Sequence, residues 1–70
     1  MPEYIAGLCR MEGSELVPFD TIKFLADNHD EAVRHAVGWL SSTDAAMDDS
    51  TWLQVLCNGS AFFSKEIGQI

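Results

Sequence analysis

The dipeptide Asn58-Gly59 stands between two stretches of strand-forming residues, and this feature most restricts how the chain can fold. Asn-Gly favours the two-residue type I′ turn, because both turn positions require a positive φ. Residues 51–57 before the dipeptide and residues 60–67 after it are rich in aliphatic, aromatic and β-branched side chains. The sequence therefore predicts a β-hairpin formed by residues 51–57 and 60–67, with Asn58-Gly59 as its turn.

A second hairpin is predicted near the N-terminus. Residues 4–11 are rich in strand formers, and the turn-forming Gly13-Ser14 separates them from a long strand over residues 15–26. Pro18 interrupts the second strand and cannot donate a hydrogen bond to a neighbour. We therefore expect Pro18 at an outward-facing edge position or at a β-bulge, with Asp20 helping to bend the strand.

Between the hairpins the apolar residues change to a helical period. Asn28 and Glu31 have the spacing of a capping box, with Asn in place of Ser or Thr. The apolar residues from Ala32 to Leu40 fall within an arc of about 160° on a helix, and the small Ala32 and Ala36 would allow close packing. These features predict an amphipathic helix from Asn28 to Leu40, followed by a polar connection with one helical turn over residues 44–47.

The predicted elements indicate an α+β fold of order ββαββ. Two hairpins would form one antiparallel four-stranded sheet, with the single helix packed on one face. We expect residues 1–70 to form one small domain, because two domains of half this length would each lack a core. The strand order stays open, since the hairpins could join through strands one and three, one and four, or another edge pairing.

The composition argues for a globular, acidic protein. It is 47% hydrophobic and 21% charged, and its 11 Asp and Glu against 4 Lys and Arg give a net charge of -7. Because this charge repels phosphate groups, we expect neither a nucleic acid nor a membrane as a partner. The sequence has no apolar run of about 18 residues and no signal peptide, so we expect a cytoplasmic location.

We expect no catalytic, cofactor-binding or metal-binding residue. His29 and His35 point about 120° apart on the predicted helix and cannot share a metal ion. We expect His35 to be a solvated surface residue and His29 to be a capping neighbour of Asp27 and Asp30 in the first turn. Cys9 and Cys57 lie far apart without CxxC spacing, on strands that offer no basic neighbour to activate a thiol. They are expected to be small buried apolar residues, with a disulfide as the open alternative.

The acidic residues between the helix and the second hairpin form no recognisable cation site. Asp44, Asp48 and Asp49 lack the alternating oxygen ligands and the central glycine of a calcium loop. The five glycines are scattered and form no phosphate-binding loop. We therefore expect this connection to be a solvated acidic loop.

The predicted hairpin registers leave apolar side chains on both faces of the sheet. In the second hairpin, Val55 would face Phe62 and Leu56 would face Ala61. In the first hairpin, Ile22 and Phe24 would share the face of Ile5 and Cys9. One helix covers one face only, so either the sheet coils strongly, or the loop over residues 43–50, the C-terminal residues or a partner covers the other face. We predict a surface for a second copy of the chain, formed by Trp52, Leu56, Phe63, Lys65, Tyr4, Leu8 and Phe19.

Several short motifs resemble known bacterial proteins. The motifs Met1-Pro2-Glu3-Tyr4, Asp30-Glu31-Ala32 and Trp52-Leu53 before Asn58-Gly59 resemble a class of short uncharacterised bacterial ββαββ proteins, and this resemblance implies an architecture without a specific chemistry. The helix start, with Asp27, Asp30, Glu31 and Ala32, is also similar to the N-terminal domain of HicB-type antitoxins. That second resemblance implies that the chain could be a HicB-like antitoxin fragment.

Two other function classes compete with this implied role. The leading expectation is a non-enzymatic interaction module that works as a homodimer or docks on a partner protein. The alternative is a small-ligand-binding protein with an apolar pocket between helix and sheet. An enzyme would need a cleft that brings a histidine to a cysteine or carboxylate, and nothing in the sequence demands one.

Overall fold

The computed structural model describes residues 2–43 and 48–70, so the turn predicted over residues 44–47 lies outside the described residues. The elements follow the order ββαββ, and four antiparallel strands form one sheet, which confirms the predicted α+β fold. A short 3-10 turn, Ile67–Gln69, follows the last strand. The elements are β1 (Glu3–Glu12), β2 (Glu15–Leu25), α1 (His29–Leu40), β3 (Trp52–Cys57) and β4 (Ser60–Glu66).

The two hairpins join through their first strands. The strand order is β2-β1-β3-β4, so β1 and β3 form the centre of the sheet and β2 and β4 form its edges. The pairing of β1 with β3 extends from Tyr4 opposite Cys57 to Cys9 opposite Trp52. This pairing decides the strand order that the sequence left open.

Both predicted turns are confirmed. Asn58 and Gly59 have φ values of 53° and 82°, as a type I′ turn requires. In the first hairpin Glu12 pairs with Glu15, and Gly13 takes a φ of 64° at the first loop position. Both hairpins are thus closed by two-residue loops at the predicted places.

The helix begins and ends as predicted. Asn28 is extended, and its side-chain oxygen accepts a hydrogen bond from the backbone N–H of Glu31 at 2.9 Å. This bond satisfies one of the N–H groups that the first helical turn leaves without a partner. Ala32 and Ala36 are fully buried, so the small side of the helix faces the sheet. The prediction of close packing along these two residues is confirmed.

The core lies between α1 and one face of the two central strands. On this side of the sheet the fully or almost fully buried side chains alternate along the two central strands, as expected for a covered face. Ile22, Phe24, Val37, Leu40 and Ile67 pack around this core. The buried strand residues on this side are Tyr4, Ala6 and Leu8 of β1, and Leu53 and Val55 of β3.

A β-bulge in β2 changes the predicted register of the first hairpin. Cys9 pairs with Pro18, but Leu8 pairs with Asp20, so Phe19 is an extra residue beside the proline. The prediction of Pro18 on an edge strand and at a bulge is confirmed. The prediction that Ile22 and Phe24 share the face of Ile5 and Cys9 is wrong, because the extra residue reverses the alternation and places both side chains on the face of Tyr4, which α1 covers.

A second bulge changes the register of the other hairpin. Leu56 pairs with Ala61 as predicted, but Val55 pairs with Phe63, so Phe62 is the extra residue. Beyond this bulge Lys65 pairs with Leu53. The prediction that Phe63 and Lys65 share the uncovered face is therefore wrong, since their partners face the helix.

Removing the helix cap tests this account of α1. We expect Asn28→Ala to lower the free energy of unfolding by about 1 kcal/mol, because it leaves the N–H of Glu31 without its acceptor. Denaturant unfolding followed by circular dichroism measures the loss. Asn28→Asp keeps a capping oxygen and should stay within about 0.5 kcal/mol of the parent protein. Equal losses in the two variants would contradict a role for the cap.

Candidate functional site

The side of the sheet opposite α1 has an apolar centre on the two central strands. Across β1 and β3, Ile5 lies opposite Leu56 and Cys9 lies opposite Trp52. Gly7 and Gln54 pair between them. We call this side the open face, because in the described residues both α1 and Ile67 of the 3-10 turn pack against the core on the other side.

The side chains of the open face are packed closely at its centre. Cys9 is fully buried, and its Sγ lies 3.9 Å from the Gly7 carbonyl oxygen and 3.9 Å from Gln54 Oε1. A Cβ atom at Gly7 would lie 3.3 Å from Thr21 Cγ2. Burial raises the pKa of the Cys9 thiol. Cys9 therefore fills the centre of the open face as an apolar residue, as predicted.

Polar side chains flank this apolar centre on both edge strands. On β2, Thr21 and Lys23 pair with Gly7 and Ile5 of the central strand. On β4, Ser64 and Glu66 pair with Gln54 and Trp52. Since partners directly opposite point to the same face, these four side chains form polar flanks beside the centre, whereas Pro18 and Leu25, opposite Cys9 and Glu3, extend the apolar surface along β2. An apolar centre beside polar residues is typical of protein interfaces.

Two residues of the predicted partner surface lie on this face. Trp52 and Leu56 are both half-buried there. The sequence prediction missed Ile5 as a member of the same face. Counting the bulge at Phe19 would have indicated it, because Ile22 and Phe24 then share the apolar face of Tyr4, which leaves Ile5 on the other face.

The other predicted members lie elsewhere. Tyr4 and Leu8 are 2% and 0% exposed in the core beneath α1, which corrects their placement on a partner surface. Phe19 is 41% exposed at the bulge of β2, and the Arg10 guanidinium lies 5.4 Å from its ring centroid. The structure thus brings together Trp52 and Leu56, and it separates them from Tyr4, Leu8 and Phe19.

Tyr4 holds the first turn of α1 against the sheet. Its hydroxyl lies at hydrogen-bond distance, 3.0 Å, from His29 Nδ1. The His29 ring stacks on Phe62 with centroids 4.0 Å apart, and the Tyr4 ring meets Phe62 edge-on. The sequence predicted His29 as a capping neighbour of Asp27 and Asp30; its side chain is exposed, but it also contacts both aromatic rings.

The second histidine makes a matching contact at the other edge of the sheet. The His35 ring stacks on Phe24 of β2 with centroids 4.4 Å apart and planes inclined by 5°. Phe24 in turn stacks on Tyr4. Each histidine therefore joins α1 to a phenylalanine of an edge strand, a role that the spacing of the two histidines did not indicate.

The chemistry available around Tyr4 is limited by its burial. Burial raises the pKa of the Tyr4 hydroxyl, and the neighbouring Cys57 raises it further. A tyrosine with a raised pKa keeps its proton at neutral pH. Its hydroxyl can therefore donate a hydrogen bond to a neutral His29, and it offers no phenolate to act as a base. The contact ties the helix to the sheet.

A groove lies between the C-terminal half of α1 and β2. Its volume is about 370 Å³, and it is lined by Ile22, His35, Gly38, Trp39 and Ser42. We call it the helix groove. The groove lies between helix and sheet. This is where the alternative function, a small-ligand-binding protein, would have its apolar pocket. Gly38, a helix-weakening residue inside an amphipathic helix, was the sequence signal that could have indicated it.

The acidic loop uses one of its carboxylates locally. Asp48 accepts hydrogen bonds from the backbone N–H and the hydroxyl of Ser50, at 2.9 and 2.7 Å. These bonds lower the pKa of the Asp48 carboxyl. Residues 2–43 and 48–70 contain no group of three or more His, Cys, Asp or Glu side chains placed to hold a metal ion. Asp44 lies outside the described residues.

The resemblances to short bacterial ββαββ proteins and to HicB-type antitoxins stay predictions after comparison with known proteins. No protein-family model, no curated protein and no solved structure matches this chain. Within the described residues, no helix has the length and apolar content needed to cross a membrane. The geometry of the open face and of the helix groove therefore provides the basis for a functional proposal.

Titration of Tyr4 tests its burial directly. It is the sole tyrosine of the chain, so tyrosinate absorbance reports it alone. We expect its native midpoint to lie above the value of about 10 in denaturant, because burial favours the protonated form. The folded chain then holds a proton that the unfolded chain releases, so the free energy of unfolding should fall as pH rises through 10. Equal midpoints would contradict the burial.

The two thiols should differ in reactivity. Cys9 is fully buried, whereas Cys57 is half-buried, and both are free. Their strand positions differ by five residues along β1, about 17 Å, which is too far for a disulfide. We expect a thiol reagent to label Cys57 in the native protein and Cys9 roughly tenfold or more slowly. Cys57→Ser should remove the fast phase; a fast phase that survives would contradict the burial of Cys9.

Proposed function

We propose that this chain is a non-enzymatic interaction module whose partner is a second copy of the chain, bound through the open face. The observation that supports this proposal is the apolar centre formed by Ile5, Trp52 and Leu56, with polar side chains of both edge strands beside it. A two-fold axis would bring the same face of both copies together. The two sheets would pack about 10 Å apart, as in a β-sandwich.

The size of the open face supports a weak dimer. Its shortest strand, β3, has 6 residues, and four strands about 4.8 Å apart give a face of roughly 20 Å by 20 Å. Two such faces would bury roughly 800 Å² together, which is below the standard size of specific complexes and in the range of weak, transient contacts. The proposal therefore expects association at micromolar concentration, in the range of transient dimers.

Charge gives the dimer a distinctive salt dependence. Each copy carries a net charge of -7, so two copies repel one another at long range. Salt screens this repulsion, with a Debye length of about 10 Å at 0.1 M. The proposed dimer should therefore become tighter as salt is added, opposite to an association driven by attraction between charged patches.

A cytoplasmic location belongs to the same proposal. Both cysteines are free thiols, and a reducing compartment preserves that state.

Sedimentation velocity of a variant that carries a charge at the centre of the open face tests the dimer. Gln54 is already polar and half-buried, so Gln54→Glu should leave the fold intact. In the dimer it places two like charges close to the two-fold axis, and we expect the dissociation constant to rise at least about tenfold. Val17→Glu is the matched control, since Val17 is 38% exposed and pairs with Arg10 on the other side of the sheet.

The outcomes separate clearly. Dimerisation of the parent protein that Gln54→Glu weakens and Val17→Glu does not would support the open face. Equal effects of the two variants would overturn the proposal. So would a parent protein that stays monomeric from about 1 to about 100 µM. Thermal unfolding of each variant checks that the fold persists.

A further inference from the structure

We propose that the helix groove is a binding site for a small organic cation, such as an alkylated ammonium group held against Trp39. The groove is separate from the open face, so this inference does not depend on the proposed dimer. Its volume of about 370 Å³ lies within the range of small-molecule sites. Three independent features of the groove support a cationic occupant.

The first feature is its aromatic lining. Trp39 and His35 are four residues apart on α1 and therefore neighbours on one side of the helix. Stacking of His35 on Phe24, at 4.4 Å and 5°, fixes the orientation of the imidazole ring. Trp39 is half-buried beside it. Trp provides the strongest cation–π surface among the aromatic side chains.

The second feature is the electrostatic field of the helix. The groove lies along the last turns of α1, where the aligned peptide dipoles place a partial negative charge. Such a terminus normally gains from a basic side chain, and the last turn of α1 has none. The chain's net charge of -7 adds to the same field. An anion would be repelled here, whereas a cation supplies the missing positive charge.

The third feature is the space above Gly38. A Cβ atom built at Gly38 meets no atom within 4 Å, so packing does not exclude a side chain there. Gly38 is also absent from the positions with positive φ, so the backbone does not require glycine. A glycine inside a helix weakens it relative to alanine. The missing side chain instead keeps the groove open between His35 and Ser42.

A pair of probes of nearly equal shape tests the charge requirement. Choline and its neutral isostere 3,3-dimethylbutan-1-ol differ in the charge of the head group. In a Trp52→Phe protein Trp39 is the sole tryptophan, so selectively excited tryptophan fluorescence reports occupation of the groove. We expect choline to bind saturably and at least about tenfold more tightly than the alcohol.

Two substitutions locate the site with a matched control. Ser42 lines the groove and Ser41 does not, yet both hydroxyls donate to helix carbonyl oxygens, of Trp39 and Gly38 respectively. Ser42→Lys places a positive charge in the groove and should weaken choline binding about tenfold or more. Ser41→Lys adds the same charge outside it and should change binding by about threefold or less.

Filling the groove gives an independent readout. Gly38→Ala and Gly38→Leu should raise the thermal midpoint, because both residues favour helix more than glycine, and they should progressively weaken choline binding. A loss of binding together with a gain in stability cannot come from unfolding. Equal binding of the two probes, no saturable binding of choline, or equal effects of the two lysine variants would overturn the proposal.

Discussion

The close packing of α1 against the centre of the sheet determines the rest of this structure. Ala32 and Ala36 are fully buried against the face that carries Tyr4, Leu8 and Leu53. Because alanine side chains are short, the helix backbone can lie close to the central strands. A single helix at this distance covers the centre of one face of the sheet and does not contact the opposite face.

The same packing explains the contacts on both sides of the helix. The aromatic rings of the two edge strands rise beside α1, and each stacks on one histidine: Phe62 on His29 and Phe24 on His35. These stacks help to hold the helix across the sheet. Where Gly38 supplies no side chain, the space between α1 and β2 stays open and becomes the helix groove.

The two proposed sites use different consequences of this asymmetry. The open face is the side that the helix does not cover, and its apolar centre favours a flat partner such as a second sheet. The helix groove lies on the covered side and is concave, aromatic and close to the negative end of a helix dipole. A dimer through the open face would leave the groove accessible, so both proposals can hold for one molecule.

The two β-bulges show where sequence interpretation failed. Side chains on a strand alternate between faces, so one extra residue reverses the assignment of every position beyond it. Phe19 and Phe62 are such extra residues: the first places Ile22 and Phe24 on the face of Tyr4 instead of the face of Ile5, and the second places Phe63 on the covered face. Pro18 marked one bulge in the sequence, whereas nothing in the residues around Phe62 marked the other. The open face therefore carries polar side chains of both edge strands beside its apolar centre.

The amino-acid sequence by itself determined the local elements: the turns at Gly13 and Asn58-Gly59, the cap at Asn28 and the helix that follows it. These features depend on φ preferences and on hydrogen bonds between residues a few positions apart, which neighbouring residues can specify. Only the tertiary structure decided the pairing of β1 with β3, the two bulges and the face that α1 covers. Apolar residues occupy both faces of the strands, so their alternation alone could not choose between the faces; the choice required the helix, both hairpins and the extra residues to pack together.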